Sequence, residues 1–363
     1  MEQIQIAAST HSYKVEIGAS LRFQLESIIE GSYKNILVIT DSEVASLYLE
    51  DVKQSFPYHV EITEHIVPAG EASKSMEQYS RLMDTCIARQ LDRKSLIVGL
   101  GGGMVGDLAG FAAATYLRGI DFLQMPTTIL AHDSSVGGKV AINHTQGKNL
   151  IGCFYNPIQV IYDTETLSSL PPAEIRSGFG EVVKHALLSD SAWCEEILKT
   201  NILHLSSEQL NEYLAKGIKV KAQIVEEDEK EQGIRKHLNL GHTLAHALEA
   251  ELGYGRITHG EAVAIGIWFA MRVSEQYLEA SLPVGNYIKW LQMNHYPINL
   301  AETIDPDRII ERMKWDKKTV DSQIHYVLLE AVGNPVVQKI EEGLIKEYLS
   351  DFIKEVSGID ERN

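Results

Sequence analysis

The chain has 363 residues, 44% of them hydrophobic and 23% charged, with a formal net charge of −17. That length exceeds one usual hydrophobic core, so two domains are expected. The acidic balance argues against a nucleic-acid partner, which needs a basic surface, but not against a small anion held by a few focused cations. Cys86, Cys153 and Cys194 show no CxxC spacing, which points to reduced thiols and a cytoplasmic location. The start, Met-Glu-Gln-Ile-Gln-Ile, lacks the basic and apolar regions of a signal peptide. The apolar run 262–271 is too short to span a bilayer and reads as a core helix, so no membrane partner is expected.

Along the first half, strand and helix patterns alternate. Residues 35–40 form a β-rich run ending in Asp41-Ser42, a plausible helix cap, and 59–67 is a second β-branched stretch. Residues 73–90 carry helical spacing, and 95–100 reads as a buried strand feeding into glycines. This alternation predicts a wound, mainly parallel α/β sheet. Gly101, Gly103 and Gly106 satisfy G-x-G-x-x-G between a strand and an apolar helix that runs to Leu117. Such glycines let backbone N–H groups approach a pyrophosphate at a helix N-terminus, or they make a tight turn packing strand on helix. Asp121, near the usual spacing for a ribose ligand, reads instead as a strand start. Asp133, Lys139, Lys148 and Asn149 follow among glycines in a loop or hairpin. There, ammonium groups and backbone N–H groups suit an anion, against the alternative of a solvated hairpin.

From about Leu170 the pattern becomes helical, opening with Pro171-Pro172. Helices are expected over 173–188, 208–230, 240–252, 259–280 and 285–294, with a late β-like run at 324–329. Three of these segments present Glu181, His242 and His259 beside glycines. One carboxylate and two imidazoles make the ligand set of a catalytic zinc with an open position, or else are capped and packed helix residues. His246 lies one turn after His242 on the same face. The pair is reminiscent of HExxH, but Thr243 stands where that motif needs glutamate, so a zinc-protease reading fails. Lys184, three residues after Glu181, shares its helix face.

Taken together, these stretches resemble the 3-dehydroquinate synthase family. The resemblance runs through Gly101-Gly-Gly-Met-Val-Gly-Asp107, Ala114-Thr-Tyr-Leu-Arg118-Gly, Pro126-Thr-Thr-Ile-Leu-Ala, Asp133-Ser-Ser-Val-Gly-Gly-Lys139 and Gly147-Lys-Asn149. It continues in Gly180-Glu-Val-Val-Lys184, Leu238-Asn-Leu-Gly-His-Thr243 and His259-Gly-Glu-Ala-Val. It implies an α/β N-terminal NAD-binding domain with a wound, mainly parallel sheet (1–169), plus a mainly α-helical C-terminal metal-binding domain (170–363), with the active site between them. It implies Zn2+ or Co2+ on Glu181, His242 and His259. NAD is implied at Asp41, Glu71, Lys74, Gly101, Gly102, Gly103, Met104, Val105, Asp107, Thr127, Thr128, Lys139 and Lys148, and at Thr166, Leu167, Ser168 and Ser169. The implied substrate, a phosphorylated keto sugar acid, meets Asp133, Lys139, Lys148, Asn149, Lys184, Lys221, Arg235, Asn239, His246 and Lys317. Arg118 reaches a neighbouring subunit's site in this family, which implies a homodimer.

The implied reaction is a transient oxidation of the substrate's C5 hydroxyl, β-elimination of phosphate, re-reduction, ring opening and intramolecular aldol closure. Lys139, Arg118 and Asn149 would position the phosphate, Arg235 and Lys221 the carboxylate, and His246 would relay the hydroxyl proton. Departures from the family pattern are His132 directly before Asp133, Val140-Ala141, Ser169 and Leu244-Ala245, none of which removes a charged or ligating group. Other sugar phosphate cyclases would need no carboxylate clamp. A metal-dependent polyol dehydrogenase would need no phosphate grip and would release NADH. A ligand-binding module without activity would be expected to have lost a ligand or cation.

Overall fold

The computed structural model describes residues 1–253, 255–299, 304–316 and 325–360. They fall into two compact units, one of Met1–Leu170 with Ser207–Glu229, the other of Pro171–Ser206 with Lys230–Asn363.

The first unit is built on nine strands: β1 (Glu2–Ala7), β2 (Ser12–Gly18), β3 (Asn35–Asp41), β4 (Glu61–Val67), β5 (Leu96–Gly101), β6 (Asp121–Pro126), β7 (Lys139–His144), β8 (Gly147–Phe154) and β9 (Gln159–Asp163). Seven form one sheet in the order β1-β2-β9-β6-β5-β3-β4. Every neighbouring pair runs parallel except β1 with β2. The central strands β3 and β5 are apolar along most of their length because both faces are covered. Along β5, Ile97 faces the helix Gly103–Thr115 through Val105, Leu108 and Ala112, while Leu96, Val98 and Leu100 join Leu49 and Val52 on the other side. Asp121 does begin a strand. The segment carrying Lys139, Lys148 and Asn149 is the antiparallel hairpin β7–β8, whereas Asp133, expected in the same loop or hairpin, lies in the short helix Ala131–Ser134.

The sequence pattern places the long helix Ser207–Glu227 with the second half, yet it packs in the first unit. Its stripe of Leu214, Ile218, Ala222 and Val225 is buried, and it lies against β1 and β2. Glu226 accepts from the Ala7 N–H at 2.8 Å, and Glu229 from the Ser9 N–H at 3.1 Å and Asn156 at 2.9 Å. Helical periodicity reports that a helix has a buried face, not which unit buries it.

In the second unit the helices Pro172–Ser189, His242–Leu252 and His259–Tyr277 meet at glycines. The last is buried nearly all round from Gly260 to Met271, as a central helix must be. A Cβ on Gly260 would lie 1.7 Å from the Ser177 carbonyl oxygen, and one on Gly180 would lie 2.0 Å from the Gly260 carbonyl oxygen. A Cβ on Gly266 would lie 2.0 Å from the carbonyl oxygen of Gly241, itself at φ +82°. The late strand pattern is half of a hairpin, β10 (His325–Ala331) with β11 (Asn334–Lys339). No helix among the described residues is long and apolar enough to cross a membrane.

At the first crossing the obstacle is backbone and cannot rotate away. Gly260→Ala is therefore expected to destabilise the second unit by at least about 1–3 kcal/mol, read as a lowered urea midpoint. An unchanged midpoint would show that these two helices separate freely.

Candidate active site

In the first unit, the carboxyl ends of the parallel strands β3, β5 and β6 converge on Thr40, Gly101 and Thr127. This is where open α/β sheets bind ligands. Gly101 ends β5, and the helix Gly103–Thr115 begins two residues later without any side-chain cap, leaving its first N–H groups to a ligand. Thr127 donates its N–H to the Gly101 carbonyl at 3.0 Å. Thr128 lies beside Gly102, where an added Cβ would come within 3.0 Å of its methyl group. The hydroxyls of Thr127 and Thr40 are buried without a hydrogen-bond partner among the described residues. Such orphaned donors are expected where a polar ligand completes the site. Sequence patterning missed Thr40, which is one more residue of an apolar strand until the structure places it at the strand's end.

Around this loop the charges are already paired. Lys74, 4% exposed, contacts the carboxylate of Asp107 and the side-chain oxygen of Asn149. Burial pushes the Asp107 carboxyl up, with Lys74 opposing it. Asn149, at φ +56°, is tied to Asn143, which donates to Glu71 at 2.8 Å. Asp41 caps the turn after β3, accepting from the N–H groups of Glu43 at 2.9 Å and Val44 at 3.0 Å. Lys221 pairs with Asp133 at 3.0 Å. The hydroxyls of Thr166, Ser168 and Ser169 donate to backbone carbonyls of their own 3₁₀ turn, beside the buried Leu167. Lys139 is exposed and Lys148 half-buried on the hairpin. Arg118 is exposed and, with Leu117, holds a left-handed backbone.

In the second unit, Glu181, His242 and His259 gather their donor atoms within 4.8 Å of one another. Glu181 Oε1 lies 3.4 Å from Nε2 of each histidine. Bonds of about 2.0–2.1 Å at tetrahedral angles set neighbouring donors roughly 3.3–3.4 Å apart, so the spacing fits a zinc-like ion. Lys184, 1% exposed, takes the other Glu181 oxygen, which leaves Oε1 for the cluster. Behind His242, Nδ1 faces the Leu240 carbonyl at 3.2 Å. Behind His259, Nδ1 faces Glu249 at 3.0 Å. His246 lies beside both, its ring centroid 5.5 Å from that of His242 and 5.9 Å from that of His259. Asn239 donates to Glu231 at 2.9 Å, and Arg235 is buried in the 3₁₀ turn Ile234–Asn239. Lys317 lies outside the described residues.

The two histidines are held in opposite states. Burial lowers His242 to about 4, with Glu181 acting against it. For His259, burial also pulls downward, but hydrogen bonds and charge from Glu181 and Glu249 outweigh it and raise the ring to about 9.

Residues 64–177 match the family model described as 3-dehydroquinate synthase N-terminal, and residues 178–319 the one described as 3-dehydroquinate synthase C-terminal. The chain belongs to the 3-dehydroquinate synthase family. Curated 3-dehydroquinate synthases of Oceanobacillus iheyensis and Halalkalibacterium halodurans are 50% and 47% identical to it, each across 98% of this chain and 99% of the relative. Among solved structures, 2-deoxy-scyllo-inosose synthase complexed with carbaglucose-6-phosphate, NAD+ and Co2+ superposes with a TM-score of 0.88 at 28% identity, covering 96% of this chain and 100% of that one. Glycerol dehydrogenase from Schizosaccharomyces pombe superposes at 0.66 with 18% identity over 96% of this chain and 90% of its own, a likeness of fold alone.

Within this 3-dehydroquinate synthase family fold, a metal on the Glu181 cluster must displace the proton that His259 carries at neutral pH. Chelator-stripped protein is therefore expected to bind Zn2+ more weakly at pH 6 than at pH 8, measured by competition with a chromophoric chelator. His259→Ala should lose bound metal while keeping its far-UV circular dichroism. Full metal content in that variant would remove His259 from the donor set.

Proposed function

We propose that the protein is a 3-dehydroquinate synthase of the shikimate pathway, a carbon–oxygen lyase that converts 3-deoxy-D-arabino-heptulosonate 7-phosphate to 3-dehydroquinate and phosphate. The observation that carries this reading is identity of up to 50% to curated members of the family across 98% of the chain. NAD would supply the reversible hydride acceptor, and Zn2+ or Co2+ the Lewis acid that acidifies the substrate hydroxyl.

The chain's own residues take the remaining roles. Glu181, His242 and His259 would hold the metal, with Lys184 fixing the second oxygen of Glu181. His246 would relay the hydroxyl proton. The uncapped helix start at Gly103, with Gly101, Gly102, Met104 and Val105, would receive the NAD pyrophosphate. Thr127 and Thr128 would bond the same cofactor, together with Asp41, Glu71, Lys74, Asp107, Lys139, Lys148 and the 166–169 turn. Lys139, Asn149 and Arg118 would position the substrate phosphate, whose own oxygen accepts the C–H proton. Lys221 and Arg235 would hold the carboxylate, with Asp133, Asn239 and Lys317 completing the contacts. A homodimer belongs to the same reading, with exposed Arg118 offered to a second copy. The three unbridged cysteines accord with a cytoplasmic location.

The test is phosphate release from the heptulosonate phosphate with NAD and a divalent metal, run with and without chelator. Release that stops with chelator, without net NADH, is the expected result. Stoichiometric NADH without phosphate would establish a dehydrogenase instead. Equal turnover of a sugar phosphate lacking the carboxylate would point to a different cyclase.

A further inference from the structure

His259 is held from two sides. Its Nε2 lies 3.4 Å from Glu181 Oε1, and its Nδ1 lies 3.0 Å from Glu249 Oε2. Glu249 sits on the helix His242–Leu252 at the third position of a stripe formed by His242, His246 and Glu249, spaced i, i+4 and i+7 on one face. It is 5% exposed. A carboxylate this buried is costly unless paired.

We propose that Glu249 is the positioning residue for His259, fixing the tautomer in which Nδ1 carries the proton and Nε2 offers its lone pair to the metal. The inference rests on the metal site assigned above to Glu181, His242 and His259. An ionised carboxylate only accepts hydrogen bonds, so a 3.0 Å contact with Nδ1 requires the N–H there. The same contact holds the ring plane, because an imidazole fixed at Nδ1 and at its backbone cannot swing Nε2 away. One helix thus contributes twice, with His242 as a donor in front and Glu249 as a brace behind the second histidine. Carboxylate support of this kind commonly changes metal affinity by about 10–100-fold.

The structure also frames the competing arrangement. His246, Glu249 and His259 likewise bring donor atoms within 4.8 Å. A metal there would bond Glu249 directly and use the other nitrogen of His259. The Glu249–His259 distance of 3.0 Å is that of a hydrogen bond, whereas Glu181 stands 3.4 Å from both histidines, the spacing of donors around an ion.

The experiment measures Zn2+ affinity by chelator competition, and the visible absorption of the Co2+-loaded protein, in wild type and in Glu249→Ala, Glu249→Gln, His242→Ala and His246→Ala. Glu249→Ala is expected to bind Zn2+ about 10–100-fold more weakly. Glu249→Gln, whose amide oxygen still accepts from Nδ1, should lose affinity several-fold and shift the Co2+ bands. It decides the question if the alanine variant does not fold. Wild-type affinity and an unshifted Co2+ spectrum in the Glu249 variants, while His242→Ala loses metal, would overturn this inference alone. Wild-type affinity in His242→Ala would overturn the metal assignment beneath it. Loss of metal in His246→Ala as severe as in His242→Ala would make Glu249 a ligand and overturn the positioning role.

Discussion

The second unit depends on helices that touch backbone to backbone at glycines. Each metal-ligand candidate is the sequence neighbour of a crossing glycine: Glu181 follows Gly180, His242 follows Gly241, and His259 precedes Gly260. Gly260 and Gly266 lie six residues apart, roughly 240° around the helix at about 3.6 residues per turn. The central helix His259–Tyr277 is therefore gripped on two flanks, by the Glu181 helix and by the start of the His242 helix. Side chains leaving so close to a contact have short lever arms, so the donor spacing inherits the rigidity of the backbone. The capping box of Thr258 and Glu261 adds to this, with Arg176 holding Glu261 at 2.6 Å. A helix end fixed by reciprocal hydrogen bonds cannot fray under the histidine it carries.

Charge is handled in the same manner. Lys184 on Glu181 and Lys74 on Asp107 are pairs of nearly buried groups. Burying either partner alone would be strongly unfavourable, so each fixes its neighbour's position whatever its net contribution to stability. For Glu181 the consequence is directional, since one oxygen is committed to Lys184 and the other faces both imidazoles. For Asn149 and Asp107, the shared Lys74 ties the tip of the β7–β8 hairpin to the helix of the glycine loop.

How far these features can be read from the sequence follows from their range. The glycine loop, the strand beginning at Asp121 and the main helices have local causes: apolar periodicity, caps and breakers. The helices expected between 173 and 294 agree with the pattern to within a few residues, whereas Pro306–Asp316 and Glu342–Asp360 are helices that it does not include. Glu181, His242 and His259 were visible because each stands beside a glycine and has a side chain suited to a metal. Glu249 was not, since a glutamate on a helix usually faces water, and only its contact with His259 reveals its surroundings. Thr40 was hidden in an apolar strand. The helix Ser207–Glu227 follows the sequence boundary near Leu170 yet packs in the first unit, because which partner buries its stripe is a property of tertiary packing.

The likeness to glycerol dehydrogenase at a TM-score of 0.66 and 18% identity shows why the fold cannot by itself choose the reaction. A wound sheet with an open glycine loop, followed by helices, can serve more than one enzyme that moves a hydride to or from an alcohol. What separates a cyclase from such an enzyme is the fate of the ketone once it forms. A dehydrogenase releases it. A cyclase needs a leaving phosphate gripped at a fixed distance and a reduced cofactor retained until that phosphate has gone. In this chain the groups proposed for that grip, Lys139, Lys148 and Asn149, all lie on the β7–β8 hairpin, which Lys74 and Glu71 tie to the rest of the first unit through Asn149 and Asn143. Cofactor retention and phosphate departure would then be governed by one small, braced hairpin, and the chemistry would diverge from a dehydrogenase's through local side chains on a common frame.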